Sequence, residues 1–513
     1  MEVRFGCSPA LLIALGLALA PVGMAHSARA ADNVLSRAYD SQEQWFRQQL
    51  AQAHGMARAD HIDQANVAFA RLVDDPLFAT LPAAEQRVAL STAGWVAIRR
   101  SDSARALLLY RRAVAVDDSD ADNWYRIAMI ESDEGRSDAG AVAFTQIVER
   151  WPHLLPNVEE RYIMPLIHRS TTGSPERYGL LKALFDANWA GRLGAPSEAW
   201  YALAVEAMDR GDTNTARAAI ARIAAPMPLV RLRSEKRFDA VMPGEGWSTN
   251  AGRAAQLEID ALSEQAQLAP DDLEVRSYLT SAVLTAGQAE RALELTTQTL
   301  DAIAQASPDE PAFKSLDDQV WLMNNRAIAL RRLGRTDEAL TELRRAAQLA
   351  EEGGQNVSQA LNLGVFYCSL GRPDDALHAM ETLGPVSGYG HMVENGARHC
   401  AALQKGNRSA ARKALAYLRE HRNEAPLMYL EALLRQGDMD NAAALVKELL
   451  ATSEDRGRML RWMQDYLRPA PLPGDVEARA ARTALIARPD VRGAIDAVGR
   501  IAHYDLYLEG GMD

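Results

Sequence analysis

Residues 333–340 read LGRTDEAL and residues 370–377 read LGRPDDAL. In both octets a glycine is followed five residues later by an alanine, Gly334 to Ala339 and Gly371 to Ala376. The same step recurs at Gly211 to Ala216, Gly287 to Ala292, Gly406 to Ala411 and Gly437 to Ala442; Gly135 leads to Gly140, and Ser101 leads to Ala106 with serine in place of glycine. Each turn is preceded by a segment with apolar positions at helical spacing, such as Trp124-Tyr125-Arg126-Ile127-Ala128-Met129-Ile130, and followed by a second, such as Ala339-Leu340-Thr341-Glu342-Leu343. Glycine takes the positive φ that a tight helix-to-helix reversal needs. The acids after it, Asp337 and Glu338, fall at the positive end of the next helix. Each unit therefore reads as a helical hairpin. The small residue lets two antiparallel backbones approach, and a larger one four places on, as at Tyr110, Phe144, Ile220, Leu343, Met380 and Leu415, fills the adjoining space.

This pattern resembles the tetratricopeptide repeat family, a helix-turn-helix of W-x2-L-G-x2-Y, A-x3-F and then P. Trp124, Ile127, Ala128, Gly135, Gly140, Phe144 and Pro152 match or approximate it. So do Trp200, Leu203, Ala204, Ala207, Ala216, Ile220 and Pro228, and again Leu363, Gly364, Tyr367, Ala376 and Met380. The resemblance implies an all-α solenoid, a superhelix of stacked antiparallel hairpins.

Around this frame the 513 residues divide as follows. Residues 1–30 carry Arg4, an apolar run from Leu11 to Ala20, Pro21 and then Ala28-Arg29-Ala30, the layout of a secretory signal peptide cut after Ala30. The apolar run is too short for a bilayer span, and no later stretch approaches that length, so no transmembrane span is expected in the mature chain. Residues 31–86 form an N-terminal helical segment and 87–230 an N-terminal array, atypical over 155–196 where Pro165 and Tyr178 break the pattern. Residues 231–250, with Pro243, Gly244 and Gly246, read as a connector whose Arg231, Arg233, Lys236 and Arg237 are solvated. A second array covers 251–456. Residues 457–513, with Pro469, Pro471 and Pro473, read as a helical cap, because the last repeat of a stack otherwise exposes an apolar face.

Composition narrows the function. Cleavage after Ala30 removes Arg4, Arg29 and Glu2, leaving 54 basic and 67 acidic residues and a net charge of −13. Without a basic block, that balance excludes nucleic acid as an expected partner. No nucleophile elbow, zinc-protease helix, redox cysteine pair or phosphate loop is present. The glycine-rich stretch SGYGHMVENG, 387–396, reads as a turn between repeats. His378, His391, His399 and Cys400 lack the spacing of a metal site. Acid pairs such as Asp117-Asp118 and Asp374-Asp375 read as helix caps. No catalytic residue, metal or cofactor is expected.

The resemblance adds a site. In the family the first helix of each hairpin faces a concave groove, and alignment on the turn glycines places Tyr125, Met129, Tyr201, Val205, Asn324, Ile328, Arg331, Arg332, Val365 and Glu431 there. Arg331 and Arg332 beside Asn324 form a donor cluster suited to an anion or, failing that, a solvated helix end. The family's carboxylate clamp of distributed lysines and asparagines is not visible. The same alignment puts Cys368 and Cys400 at groove positions of neighbouring repeats, either as a disulfide or as two thiols. The implied function is a non-catalytic scaffold of the cell envelope, periplasmic or secreted, binding a protein or peptide segment, or a glycan. Two alternatives are an accessory subunit of a polysaccharide-export or outer-membrane assembly or secretion machine, and an envelope hydrolase sited in residues 155–250.

Overall fold

The computed structural model describes residues 29–192, 196–242, 250–307, 309–351, 354–386 and 388–508. Most of the expected export signal, residues 1–28, lies outside them, as do residues 243–249 of the expected connector. The chain forms two compact units that divide after Trp189.

The N-terminal unit holds α1 (Arg29–Arg58), α2 (Ile62–Leu72), α3 (Ala83–Arg99), α4 (Ser103–Val116), α5 (Ala121–Asp133), α6 (Ser137–Arg150), α7 (Glu160–Arg169) and α8 (Pro175–Asp186). The C-terminal unit opens with α9 (Ser197–Asp209), α10 (Thr213–Ile220) and α11 (Pro226–Ser234). Its array then runs through α12 (Ala251–Leu268), α13 (Leu273–Thr285), α14 (Ala289–Gln305), α15 (Gln319–Arg332), α16 (Thr336–Gln348), α17 (Val357–Ser369), α18 (Pro373–Ala379), α19 (Gly388–Gln404), α20 (Arg408–Glu420), α21 (Pro426–Arg435) and α22 (Met439–Ala451). It ends with α23 (Ser453–Met463), α24 (Val476–Ala487) and α25 (Pro489–Val498). The fold is all-α, a stack of antiparallel hairpins in each unit. No helix among the described residues is long and apolar enough to cross a membrane.

The opening octets do what their residues dictate. Gly334 sits at φ 77° between α15 and α16, its N–H bonded to the Arg331 carbonyl (3.1 Å), and the Arg335 N–H reaches back to Leu330 (2.8 Å). The other turn glycines share the positive φ, and Ser101 adopts it too, at 59°. Five residues on, Ala106, Ala216, Ala292, Ala339, Ala376 and Ala442 are wholly buried. At Gly140 a Cβ would lie 2.9 Å from the Ala128 carbonyl oxygen, so α5 and α6 approach too closely for alanine. Tyr110, Phe144, Leu343 and Met380 fill the space beside these contacts.

Three stretches differ from expectation. Residues 388–396 are the first half of α19, not a turn; the glycines make room for neighbours, Gly396 facing the Met428 methyl. Residues 231–234 complete α11, with Leu232 and Ser234 buried, so the expected connector begins inside a core helix. Residues 457–513 do more than cap the last hairpin. After α23 the prolines forbid a helix, and the chain runs extended through β3 (Asp465–Tyr466), after the short antiparallel pair β1 (Ala350–Glu351) and β2 (Gly354–Gln355). Residues 499–508 then return through β4 (His503–Tyr504), which pairs in parallel with β3. The return reaches the start of the unit: Arg500 N–H donates to Ser234 (2.9 Å), Tyr507 N–H to Thr285 (2.9 Å), and Leu506 packs with Met227, Val230 and Ala255.

Candidate functional site

In both units the first helices of successive hairpins lie side by side, so their side chains form one continuous face. In the N-terminal unit the Ser91 hydroxyl on α3 bonds Asn123 on α5 (2.7 Å). Tyr125 on α5 meets Tyr162 on α7 edge to face, centroids 6.3 Å apart. Trp95, Trp124, Tyr125 and Tyr162 are all partly exposed, while Met129 is buried beneath them. Arg99 stacks over Trp95 (5.3 Å) and Arg161 over Tyr162 (5.2 Å). Burial, with Tyr162 alongside, pushes the Tyr125 phenol up to about 12, so it remains a neutral donor. The chemistry on offer is flat aromatic surface edged by guanidinium groups.

In the C-terminal unit Asn362 on α17 donates to Asn324 on α15 (3.2 Å). Cys368 on α17 and Cys400 on α19 form a disulfide with Cα atoms 6.3 Å apart. This face is occupied by the chain itself. Arg331 is buried and donates to the Ala470 carbonyl (2.5 Å), and Arg435 on α21 donates to the Gly474 carbonyl (3.0 Å) and to Asp475 (2.7 Å). Leu472 packs in one cluster with the two cysteines and Ala401. Arg332 donates to the Leu284 carbonyl (2.6 Å) and lies 3.8 Å over the Tyr507 ring; burial lowers its guanidinium to about 10, still charged at neutral pH. Neither arginine is the solvated helix end or the anion receptor that the sequence suggested, because the Ala470 carbonyl, 139 residues on, takes Arg331, and the Leu284 carbonyl, 48 residues back, takes Arg332, beneath which the Tyr507 ring lies. Ile328 is buried in the hairpin core, Val365 is half-buried beside Met380, and Glu431 borders a small cavity lined by Arg435, Arg468, Arg479 and Arg482.

Tyr201 and Val205 on α9 are buried rather than open to a ligand. The Tyr201 hydroxyl donates to Glu235 (2.6 Å), whose other oxygen pairs with Arg237 (2.6 Å), and Arg231 stacks 3.9 Å over the phenol ring. Burial pushes the Glu235 carboxyl above its usual range, opposed by Arg237 and the Tyr201 hydroxyl. Arg231 and Arg237 are thus largely covered partners of an ionic network and not a solvated connector, while Lys236 is exposed. The sequence carried no sign of this, since Tyr201 and Glu235 lie 34 residues apart.

The histidines do not converge. His378 and His391 each pair with a glutamate on their own helix turn, Glu381 and Glu394. His399 is wholly buried between the carbonyls of Ala411 (3.0 Å) and Ala432 (3.2 Å), tying α19 to α20 and α21, and burial pushes its imidazole down. Among the described residues no group of three or more histidine, cysteine or acidic side chains is arranged to hold a metal ion.

No family model matches the sequence, and no curated protein matches it. Among solved structures, the crystal structure of the P58(IPK) TPR domain aligns with 79% of this chain and 99% of its own at 15% identity, with a TM-score of 0.19. The architecture described above rests on this chain's own hairpins.

Proposed function

We propose that the chain is a non-catalytic protein-interaction scaffold of the cell envelope that holds an extended protein segment against the first-helix face of its N-terminal unit. The observation that carries this reading is the partly exposed ring pair Tyr125 and Tyr162, edge to face on α5 and α7, with Trp95 partly exposed on the first helix of the preceding hairpin. Rings held on rigid helices bind with little loss of side-chain freedom, and Arg99 and Arg161 add donors for backbone carbonyls at the rim. The export layout of residues 1–30 supports an envelope location.

The test is capture from envelope extracts with the full chain, comparing wild type with Tyr125→Ala plus Tyr162→Ala. One stoichiometric protein retained by wild type and by a distant control such as Arg408→Ala, but lost with the tyrosines, is the expected result. Equal capture by the tyrosine variant, or retention of the full-length chain in the cytoplasm, overturns the reading.

A further inference from the structure

The occupied face of the C-terminal unit shows what kind of segment it accepts. Between β3 and α24 the buried positions are Tyr466, Pro469, Leu472 and Asp475, one residue in three, while Ala470, Pro471 and Pro473 are exposed. Leu472 is extended, φ −74° and ψ 158°, and Pro473–Asp475 then close the segment in one 3-10 turn, the Asp475 N–H bonded to the Leu472 carbonyl (2.9 Å). Guanidinium groups take three of its backbone carbonyls. Arg331 takes Ala470, Arg435 takes Gly474, and Arg479 on α24 takes Pro469 (2.7 Å). Leu472 enters the apolar floor built by the disulfide between α17 and α19. Gly474 passes so close to the end of α17 that a Cβ would lie 2.9 Å from the Ser369 carbonyl oxygen. Asp475 closes the register on Arg435.

We infer that this face is a binding site for an extended segment of pattern P-x-x-L-x-G-D that ends in a single 3-10 turn, filled in this structure by residues 467–475 acting as a built-in occupant. It rests on the reading that first-helix faces hold extended segments, and it names the partner class for the second such face. A partner carrying the same ridge displaces the tethered copy and takes over its carbonyl and carboxylate contacts. Tethering places the built-in copy at an effective concentration on the order of a millimolar, so a free segment at micromolar concentration is excluded until the tether is weakened.

The experiment uses the full chain and a labelled synthetic peptide of residues 464–477. Wild type should bind it weakly. A full-length Leu472→Asp, Asp475→Ala chain, with its own copy released, should bind it at least tenfold more tightly. That gain should vanish when the peptide carries Leu472→Asp or when Arg331→Ala and Arg435→Ala are added to the released chain. A released chain that keeps its helical circular dichroism and exposes 464–475 to protease, yet does not bind the peptide, overturns the proposal. Should the substituted chain unfold, native-state hydrogen exchange of wild type decides. Opening at the Leu467 amide, which is bonded to Leu506 (2.9 Å), without opening of α17 and α21 supports a displaceable occupant. Exchange only through global unfolding makes the segment core, and the proposal fails. Neither readout involves the N-terminal face or a cellular partner, so failure here and failure of the scaffold reading are separable.

Discussion

Replacing Gly457 by alanine sets a local rule against a tertiary one. Gly457 lies inside α23, where helix propensity alone predicts that alanine stabilises by about 1 kcal/mol. In the fold its Cα faces the buried network of Tyr201 and Glu235. A Cβ there would collide with the Tyr201 hydroxyl and sit 2.6 Å from a Glu235 oxygen and 3.0 Å from the ring carbon bearing that hydroxyl. The ring is held under Arg231 and beside Phe238, centroids 6.3 Å apart, so the hydroxyl must leave Glu235. Losing a hydrogen bond to a buried charge costs about 1.5–3 kcal/mol, and the overpacking adds about 1–3 kcal/mol. Against the propensity gain, Gly457→Ala should destabilise the C-terminal unit by about 1.5–5 kcal/mol. Tyr201→Phe should cost about 1.5–3 kcal/mol by leaving the Glu235 carboxylate to Arg237 alone. Because Tyr201→Phe already gives up that hydrogen bond, adding Gly457→Ala in that background should cost only the overpacking against the Glu235 oxygen and the ring, about 0–2 kcal/mol after the propensity gain. The pair is then coupled by more than about 1 kcal/mol. Urea unfolding followed by far-UV circular dichroism gives the four stabilities, and amide exchange in α23 localises the loss. A neutral or stabilising Gly457→Ala, or an additive double variant, refutes the reasoning.

Three further predictions concern the frame and the occupied face. Ala339→Leu should destabilise by about 1–3 kcal/mol through overpacking between α15 and α16. Gly334→Ala, whose Cβ would meet nothing within 4 Å, should cost only the positive-φ penalty of about 1–2 kcal/mol, and the order of the two urea midpoints checks the assignment. Reducing the Cys368–Cys400 bridge, which closes a span of 32 residues, should lower stability by about 3.5–4 kcal/mol on the chain-entropy relation, read as a urea-midpoint shift with and without reductant. His503 bonds Asp465 (2.8 Å) and Asp505 (3.0 Å), and both carboxylates raise its imidazole above the ordinary value. A raised folded value means support that is complete below about pH 6.5 and lost as pH rises through the folded value. Protection of the Leu467 amide, corrected for intrinsic exchange, should therefore fall with rising pH in wild type and not in His503→Gln.

The hairpin frame was legible because it is local and repeated. A glycine or serine at positive φ, an acid in the next turn and a small residue five places on each act on neighbours within one hairpin, so even Ser101 could be placed without a partner in view. The groove was legible only halfway. Tyr125 meets Tyr162 of the next hairpin and stays partly exposed. Tyr201, Arg331 and Arg332 did not behave as free groove residues, because what covers them arrives from outside the repeat: Glu235 across a hairpin, Ala470 from 139 residues on, Tyr507 from the chain's last described turn. One signal for the return segment was present, prolines at 469, 471 and 473, which fix φ and forbid a helix. Its period of three appears only once burial is known.

The sequence by itself determined the class of element, the turns and the close-packed alanines, since these follow from backbone sterics and helical periodicity over a few residues. Tertiary structure alone decided which faces are open. The same hairpin presents bare aromatic rings in one unit and an occupied, arginine-lined channel in the other. The difference lies in contacts such as Arg331 with Ala470, 139 residues apart, and Arg332 with the Tyr507 ring. Contacts of that range depend on where residues 464–508 pass, which no local pattern of residues encodes.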